Sequence, residues 1–264
     1  MNDMKFTTVD RTDEYSVQLA KKIEQCCQNQ GWEYNSSEPD IVIVVGGDGT
    51  FLRAIHMYID RLDTTDFVGI HTGTLGFLTD YTKDELELFL ENIYKNTPVI
   101  EQSPMLETDI LYKNGIKKKL YSFNEIRISS SIRTLNLDVY IDNEYFERTT
   151  GSGICISTQT GSTAVNRSLN GAVIDSGLNV LQLCEILPVS NKHHHSLGNP
   201  YIMKSDRNIR VNSESFQNAH IYYDYLSELD LSEVKEIKVY TSTKKVRFAR
   251  YRTYSYLKRL KNLY

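Results

Sequence analysis

The run Asp40-Ile41-Val42-Ile43-Val44-Val45 opens directly into Gly46-Gly47-Asp48-Gly49-Thr50, and this junction restricts the fold more tightly than any other stretch. An unbroken β-branched run reads as a parallel strand covered on both faces. Phe51, Ile55 and Tyr58 then fall on one side of a helix predicted over Phe51 to Tyr58. Glycines at a strand end let the backbone turn sharply and bring its N–H groups close to an anion. The following helix N-terminus adds positive potential. A carboxylate in such a turn is electrostatically wasteful unless it has a task. For Asp48 the candidate tasks are general base toward a hydroxyl nucleophile, or second-sphere ligand for Mg²⁺. The bland alternative is a strand-to-helix turn with an Asp N-cap. The loop is neither the GxGxxG dinucleotide fingerprint nor the GxxxxGK[ST] phosphate loop.

The first hundred residues continue this α/β alternation. Met4 to Val9 reads as a strand, and residues 13 to 30 carry Tyr15, Leu19, Ile23 and Cys26 or Cys27 at helical spacing, with Gly31 as the stop. Phe67-Val68-Gly69-Ile70 is a further buried strand, and Leu86, Phe89, Leu90 and Ile93 mark another helix. This is the pattern of an open, mostly parallel sheet. Near residues 98 to 105 the character changes. An Asn114-Gly115 hairpin, strict alternation at Leu135, Leu137, Val139 and Ile141, and a turn at Asp142-Asn143 predict a β-rich second half. Short strands follow at Ile221 to Tyr225, Ile237 to Tyr240 and Val246 to Phe248. The expected organisation is an α/β domain over 1–100 and a β-rich, sandwich-like domain over 101–264, with the last strand and helix free to pack back on the first.

Composition narrows the function classes. A net charge of −4 gives no electrostatic case for nucleic acid. No apolar run reaches the ~18 residues of a membrane span, and Met1 to Asp10 lacks the basic-then-apolar layout of a secretory signal. Cys26, Cys27, Cys155 and Cys184 show no CxxC spacing and read as thiols of a cytoplasmic protein. Lys244, Lys245, Arg247, Arg250, Arg252, Lys258, Arg259 and Lys261 cluster near the end, as a solvated face or as a positive lining near phosphates. His193-His194-His195 lies in a loop-like context and no metal site is assigned to it. His71 and Trp32 read as structural residues.

Two further elements offer ligand contacts. Gly151-Ser152-Gly153 precedes strand Ile154 to Ser157, which runs into Thr160-Gly161-Ser162-Thr163-Ala164, a wall of small residues and hydroxyls. Asn124-Glu125 places two hydrogen-bonding side chains at the start of an apolar strand.

In this order and at these distances, Gly46 to Thr50, Asn124-Glu125 and Thr160 to Ala164 resemble the three signature motifs of the NAD kinase family. Gly69 to Gly73 with Leu75-Gly76-Phe77 resemble the family's segment after its third strand, and Lys245 to Arg250 resemble the C-terminus of its compact Gram-positive forms. The resemblance implies an ATP-dependent kinase acting on the adenosine-ribose 2′-hydroxyl of NAD, with Asp48 as base and Mg²⁺ arriving with ATP. Gly47 and Gly49 would face phosphates. Asn124 and Glu125 would hold the ribose or nicotinamide side, and Thr163, Ala164 and Ser168 the adenine and its ribose. Phe77, Ser152, Val165 and Asp224 complete the implied cofactor-binding set. A homodimer or homotetramer is also implied.

The chain departs from the family pattern at Thr150 and Ser152, where arginine and aspartate are usual, at Gln159 in place of proline, at Val165 in place of tyrosine, and at Tyr225 in place of histidine. Losing a stacked aromatic and a charged contact costs on the order of 1–3 kcal/mol of binding each. Catalysis with altered nucleotide affinity is therefore expected. A noncatalytic nucleotide-binding homologue and a lipid kinase sharing the glycine loop are the competing readings.

Overall fold

The computed structural model describes residues 4–73 and 76–261; Leu75 of the Leu75-Gly76-Phe77 segment lies outside the described residues. The chain divides into two compact units, one of residues 1–103 and 244–264, the other of residues 104–243.

In the first unit, β1 (Lys5–Asp10), α1 (Glu14–Asn29), β2 (Glu33–Tyr34), β3 (Ile41–Val45), α2 (Asp48–Met57), β4 (Asp66–His71), β5 (Tyr81–Thr82) and α3 (Leu86–Lys95) follow in sequence. The strands are parallel in the order β2-β1-β3-β4, and β4 also pairs in parallel with β5 and with residues 247–248. All five residues of β3 are buried, as their β-branched side chains require. Asp13 caps α1 by accepting from the Ser16 amide at 3.0 Å. Gly31, at φ +87°, ends it: the Trp32 amide reaches the Cys27 carbonyl and the Gly31 amide that of Gln28. Trp32 then packs edge-on against Phe6 and Tyr94, a structural role.

Helix α2 starts at Asp48, three residues earlier than its apolar spacing predicts, with Gly47 as N-cap. A polar first turn carries no periodic signal, so the predicted start slipped inward. The clustered cations are not simply a solvated face. Arg247 bonds Asp66 at 2.6 Å, Arg252 bonds Glu85 at 2.7 Å, and Arg250 bonds both Asp80 and Glu101 at 2.9 Å. The Arg250 and Arg259 side chains are only 8% and 5% exposed.

The second unit is a β-sandwich. Its strands are β6 (Val99–Tyr112, entering from the first unit), β7 (Lys117–Ser122), β8 (Glu125–Ser129), β9 (Leu135–Ile141), β10 (Glu144–Gly151), β11 (Gly153–Thr158), β12 (Val180–Ile186), β13 (Tyr201–Lys204), β14 (Ile209–Asn212), β15 (His220–Tyr223), β16 (Leu226–Asp230) and β17 (Val234–Arg250, leaving to the first). One antiparallel sheet has the order β13-β12-β11-β8-β15-β16; the other layer contains β10-β9-β14-β17. Leu137, Val139, Val211 and Ile237 from one layer share an apolar core with Ile126, Ile154, Leu183 and Ile221 from the other. Asp142 and Asn143, at φ +51° and +69°, form the two-residue hairpin between β9 and β10. The Asn114-Gly115 hairpin instead uses a three-residue loop with Gly115 at φ +86°.

Three predicted strands need correcting here. Ile221 to Tyr225 stops at Tyr223, because Asp224 takes a left-handed turn at φ +51°. Ile237 to Tyr240 and Val246 to Phe248 are parts of one strand, β17. Among the described residues, no helix is long and apolar enough to cross a membrane.

Candidate active site

The candidate residues form one cluster in each unit. In the first, β1, β3 and β4 end at the same edge of the parallel sheet, where ligands of open α/β sheets bind. The Gly46 amide donates to the Ile70 carbonyl at 2.9 Å, so the glycine turn emerges beside His71. Asp48, at the first turn of α2, is held by two main-chain donors. The Phe77 amide reaches Oδ2 at 2.9 Å and the Leu78 amide reaches Oδ1 at 3.0 Å. Each carboxylate oxygen keeps a further lone pair for a hydroxyl. Gly76 makes this approach feasible: a Cβ there would lie 2.6 Å from the Asp48 Cγ. The Gly73 amide donates to His71 Nδ1 at 2.8 Å, which places the ring proton on Nε2. Burial pushes the His71 pKa down, against the pull of the Asp48 charge, so the ring is neutral near pH 7. Its Nε2 lies beside Gly47, where a Cβ would come within 3.1 Å. Gly47, Asp48, Gly49 and Phe77 are thus brought together.

In the second unit the cluster forms where β8 starts and β11 ends. Asp224 holds this junction by accepting from the Phe123 and Asn124 amides, both at 2.7 Å. Thr158 donates its hydroxyl to the Phe123 carbonyl at 2.7 Å and its amide to the Asn124 carbonyl at 2.9 Å. Gly161 packs on the same peptide. The turn Thr160–Thr163 then leads through Ala164 into the short helix α4 (Val165–Ser168). Thr163, Ala164 and Val165 are half-buried there and Ser168 is exposed.

Glu125 is 2% exposed, and its Oε2 has no hydrogen-bond partner among the described residues. Burial first, and then the Asp224 carboxylate, push its pKa up to about 7. An unfolded glutamate titrates near ~4.3. Between those values the folded chain keeps a proton that the unfolded chain has lost, so this residue's contribution to stability falls as pH rises toward 7, and its cost is fully present above 7. Glu125→Gln should therefore stabilise the protein by about 1–3 kcal/mol at pH 8 and change little at pH 4.5. Melting curves at the two pH values test this; an equal shift at both would contradict it.

Ser152 is not brought into that cluster. It precedes the first residue of β11, whereas Thr158 ends the strand, a separation of roughly 20 Å at ~3.3 Å per residue. Its amide and carbonyl are tied to Ile186 and Ser130. Thr150 Oγ1 donates to Asn136 Oδ1 at 2.9 Å, and His194 Nδ1 lies 3.1 Å from the same hydroxyl. Sequence reasoning missed Asn166, which is fully buried, accepts from the Cys184 thiol at 3.0 Å and packs against Gly171. A lone Asn in a polar stretch gives no signal. It also missed the amides of Phe77 and Leu78, which no side-chain pattern could reveal.

The family description ATP-NAD kinase N-terminal domain matches residues 5–97, and ATP-NAD kinase C-terminal domain matches residues 124–251. NAD kinase 1 of Bacillus cereus is 38% identical over 260 residues, covering 98% of each chain. The NAD kinase of Geobacillus stearothermophilus is 38% identical over 258 residues, covering 97% of this chain and 95% of the other. Among solved structures, a yeast NADH kinase complexed with NADH aligns with a TM-score of 0.86 at 18% identity, covering 100% of this chain and 88% of that one. An NAD kinase from Archaeoglobus fulgidus in complex with ATP aligns with a TM-score of 0.77 at 24% identity, covering 98% and 97%.

Proposed function

This chain belongs to the NAD kinase family, and on that premise we propose that it transfers the γ-phosphoryl group of ATP to the adenosine-ribose 2′-hydroxyl of NAD, with Asp48 as the base. The observation that carries the reading is the Asp48 carboxylate, oriented by two amides at the first turn of a helix that follows a glycine turn. The 2′-oxygen attacks the γ-phosphorus, the bond from that phosphorus to the β,γ-bridging oxygen breaks, ADP leaves, and the hydroxyl proton passes to Asp48. Mg²⁺ enters as MgATP, as part of the substrate. The turn at Gly47 and Gly49 presents backbone N–H groups to phosphate oxygens, and the neutral His71 adds an Nε2 donor without competing for the Asp48 charge. On the second unit, Asn124 and Glu125 hold ribose hydroxyls, with Asp224 fixing their main chain, while Thr163, Ala164 and Ser168 line the adenosine. ADP release from MgATP should depend on added NAD. Equal release without NAD would contradict the assignment.

Val165 stands where the resemblance implies a stacking tyrosine, and it is half-buried at the start of α4. Val165→Tyr should tighten NAD binding about tenfold in a calorimetric titration, one aromatic contact being worth about 0.5–1.5 kcal/mol. Unchanged affinity would remove Val165 from the adenine site. The chain works as a homodimer or homotetramer in a reducing cytoplasm. Exposed Leu187, Ile202 and Leu197 on the second unit, and four unpaired cysteines, support this reading. A monomer mass by light scattering would contradict the assembly.

A further inference from the structure

The two amides that hold Asp48 belong to a segment that is itself held from its other side. Residues 77 to 80 present N–H groups to the carboxylate and carbonyls to the C-terminal stretch of the same unit. Tyr254 Oη donates to the Phe77 carbonyl at 2.9 Å. Arg250 Nη1 donates to Asp80 Oδ1 at 2.9 Å and, more weakly, to the Leu78 carbonyl at 3.4 Å. Arg252 donates to the Asp80 carbonyl. The Phe77 ring packs on Tyr256 with centroids 5.6 Å apart, and Arg250 stacks over Tyr254 at 4.3 Å. Glu101 accepts from Arg250 Nε at 2.9 Å, which fixes the guanidinium from a third direction.

We propose that residues 250–256 position the Asp48 carboxylate by clamping the main chain of residues 77–80, with the Tyr254 hydroxyl as the contact most specific to that task. The inference rests on Asp48 being the base. A carboxylate oriented through two amides follows any shift of the peptides that carry them. Those peptides have few ways to move while their carbonyls are held by a phenol and two guanidiniums. Buried Arg250 and Asp80, 8% and 3% exposed, make the anchor costly to open because each would leave an unpaired charge. Burial pushes the Tyr254 phenol up to about 12, so it stays a donor at every pH at which the enzyme would be assayed. Arg247, Arg250 and Arg252 are thereby spent on carboxylates and carbonyls, while Arg259 turns Nη2 toward Asp80 at 3.7 Å and keeps Nε and Nη1 without hydrogen-bond partners among the described residues.

Tyr254→Phe deletes the hydroxyl and keeps the ring. In the full-length chain it should lower kcat about tenfold, since a small misplacement of a reacting group is felt strongly in rate. KM for NAD and for ATP should stay within about twofold, because the Tyr254 hydroxyl is engaged by the Phe77 carbonyl and the clamp acts on the orientation of Asp48. Amide exchange at Phe77 and Leu78 should quicken while distant amides such as those of α1 do not. In an Asp48→Asn background the same substitution should cost nothing further. An unchanged kcat beside an inactive Asp48→Asn variant would overturn the clamp and leave the base assignment standing. An equal loss in both backgrounds would reduce Tyr254 to a general structural residue. Full activity in Asp48→Asn would remove the base assignment, and the clamp with it.

Discussion

Asp48→Asn is expected to lower kcat for NADP formation by about 10²–10⁴-fold, the range attributed to a positioned general base, or about 3–5 kcal/mol of barrier. Asparagine keeps the shape but cannot take the proton. It also cannot keep both main-chain contacts, because Oδ1 and Oδ2 each accept an amide, at 3.0 and 2.9 Å, and the new NH₂ would face a donor. One orphaned amide costs about 1–3 kcal/mol, so a modest fall in Tm accompanies the loss of rate without unfolding. Circular dichroism and a thermal melt establish that the variant is folded, and initial rates at saturating NAD and MgATP read the chemistry. A folded variant with the parent's kcat would take Asp48 out of the proton transfer.

Gly161→Ala should disrupt the candidate nucleoside site of the second unit. A Cβ at 161 would sit 2.5 Å from the Asn124 carbonyl carbon, well inside contact distance. The Asn124 peptide cannot retreat, because its amide is held by Asp224 at 2.7 Å and its carbonyl by the Thr158 amide at 2.9 Å. The clash therefore displaces either the Thr160–Thr163 turn or the start of β8, both of which carry proposed nucleoside contacts. A destabilisation of about 3 kcal/mol or more follows, equivalent to a fall in Tm of roughly 6–12 °C in a chain of this size. NAD affinity should fall together with it. An alanine variant with unchanged Tm and unchanged NAD binding would mean that this junction is not as tightly built as the distances imply.

Much of the architecture was legible because it is written in local chemistry. The β-branched run at 41–45 predicts a doubly covered strand, and β3 is buried at every residue. The alternation from Leu135 and the polar pair Asp142-Asn143 predict a strand and a tight hairpin, and both positive φ angles are present. Strand β12 was not legible because Gln182 and Glu185 interrupt its apolar pattern; Gln182 is fully buried only because its amide pairs with both main-chain groups of Ala172. The candidate site divides the same way. Its glycine turn and signature residues stand out in sequence. The donors that orient Asp48 are backbone groups without a residue signature. The tail cations could not be assigned either, since Arg250 meets Asp80 and Tyr254 meets Phe77 across 170 and 177 residues of chain.

The central claim is the reaction itself, and product identification tests it most directly. The purified chain is incubated with NAD and MgATP and the products are resolved by phosphorus NMR. The account predicts one new phosphomonoester on the adenosine 2′-oxygen for each ADP formed. ADP without a phosphorylated dinucleotide, a phosphate on another oxygen, or NAD that binds and never turns over would contradict it.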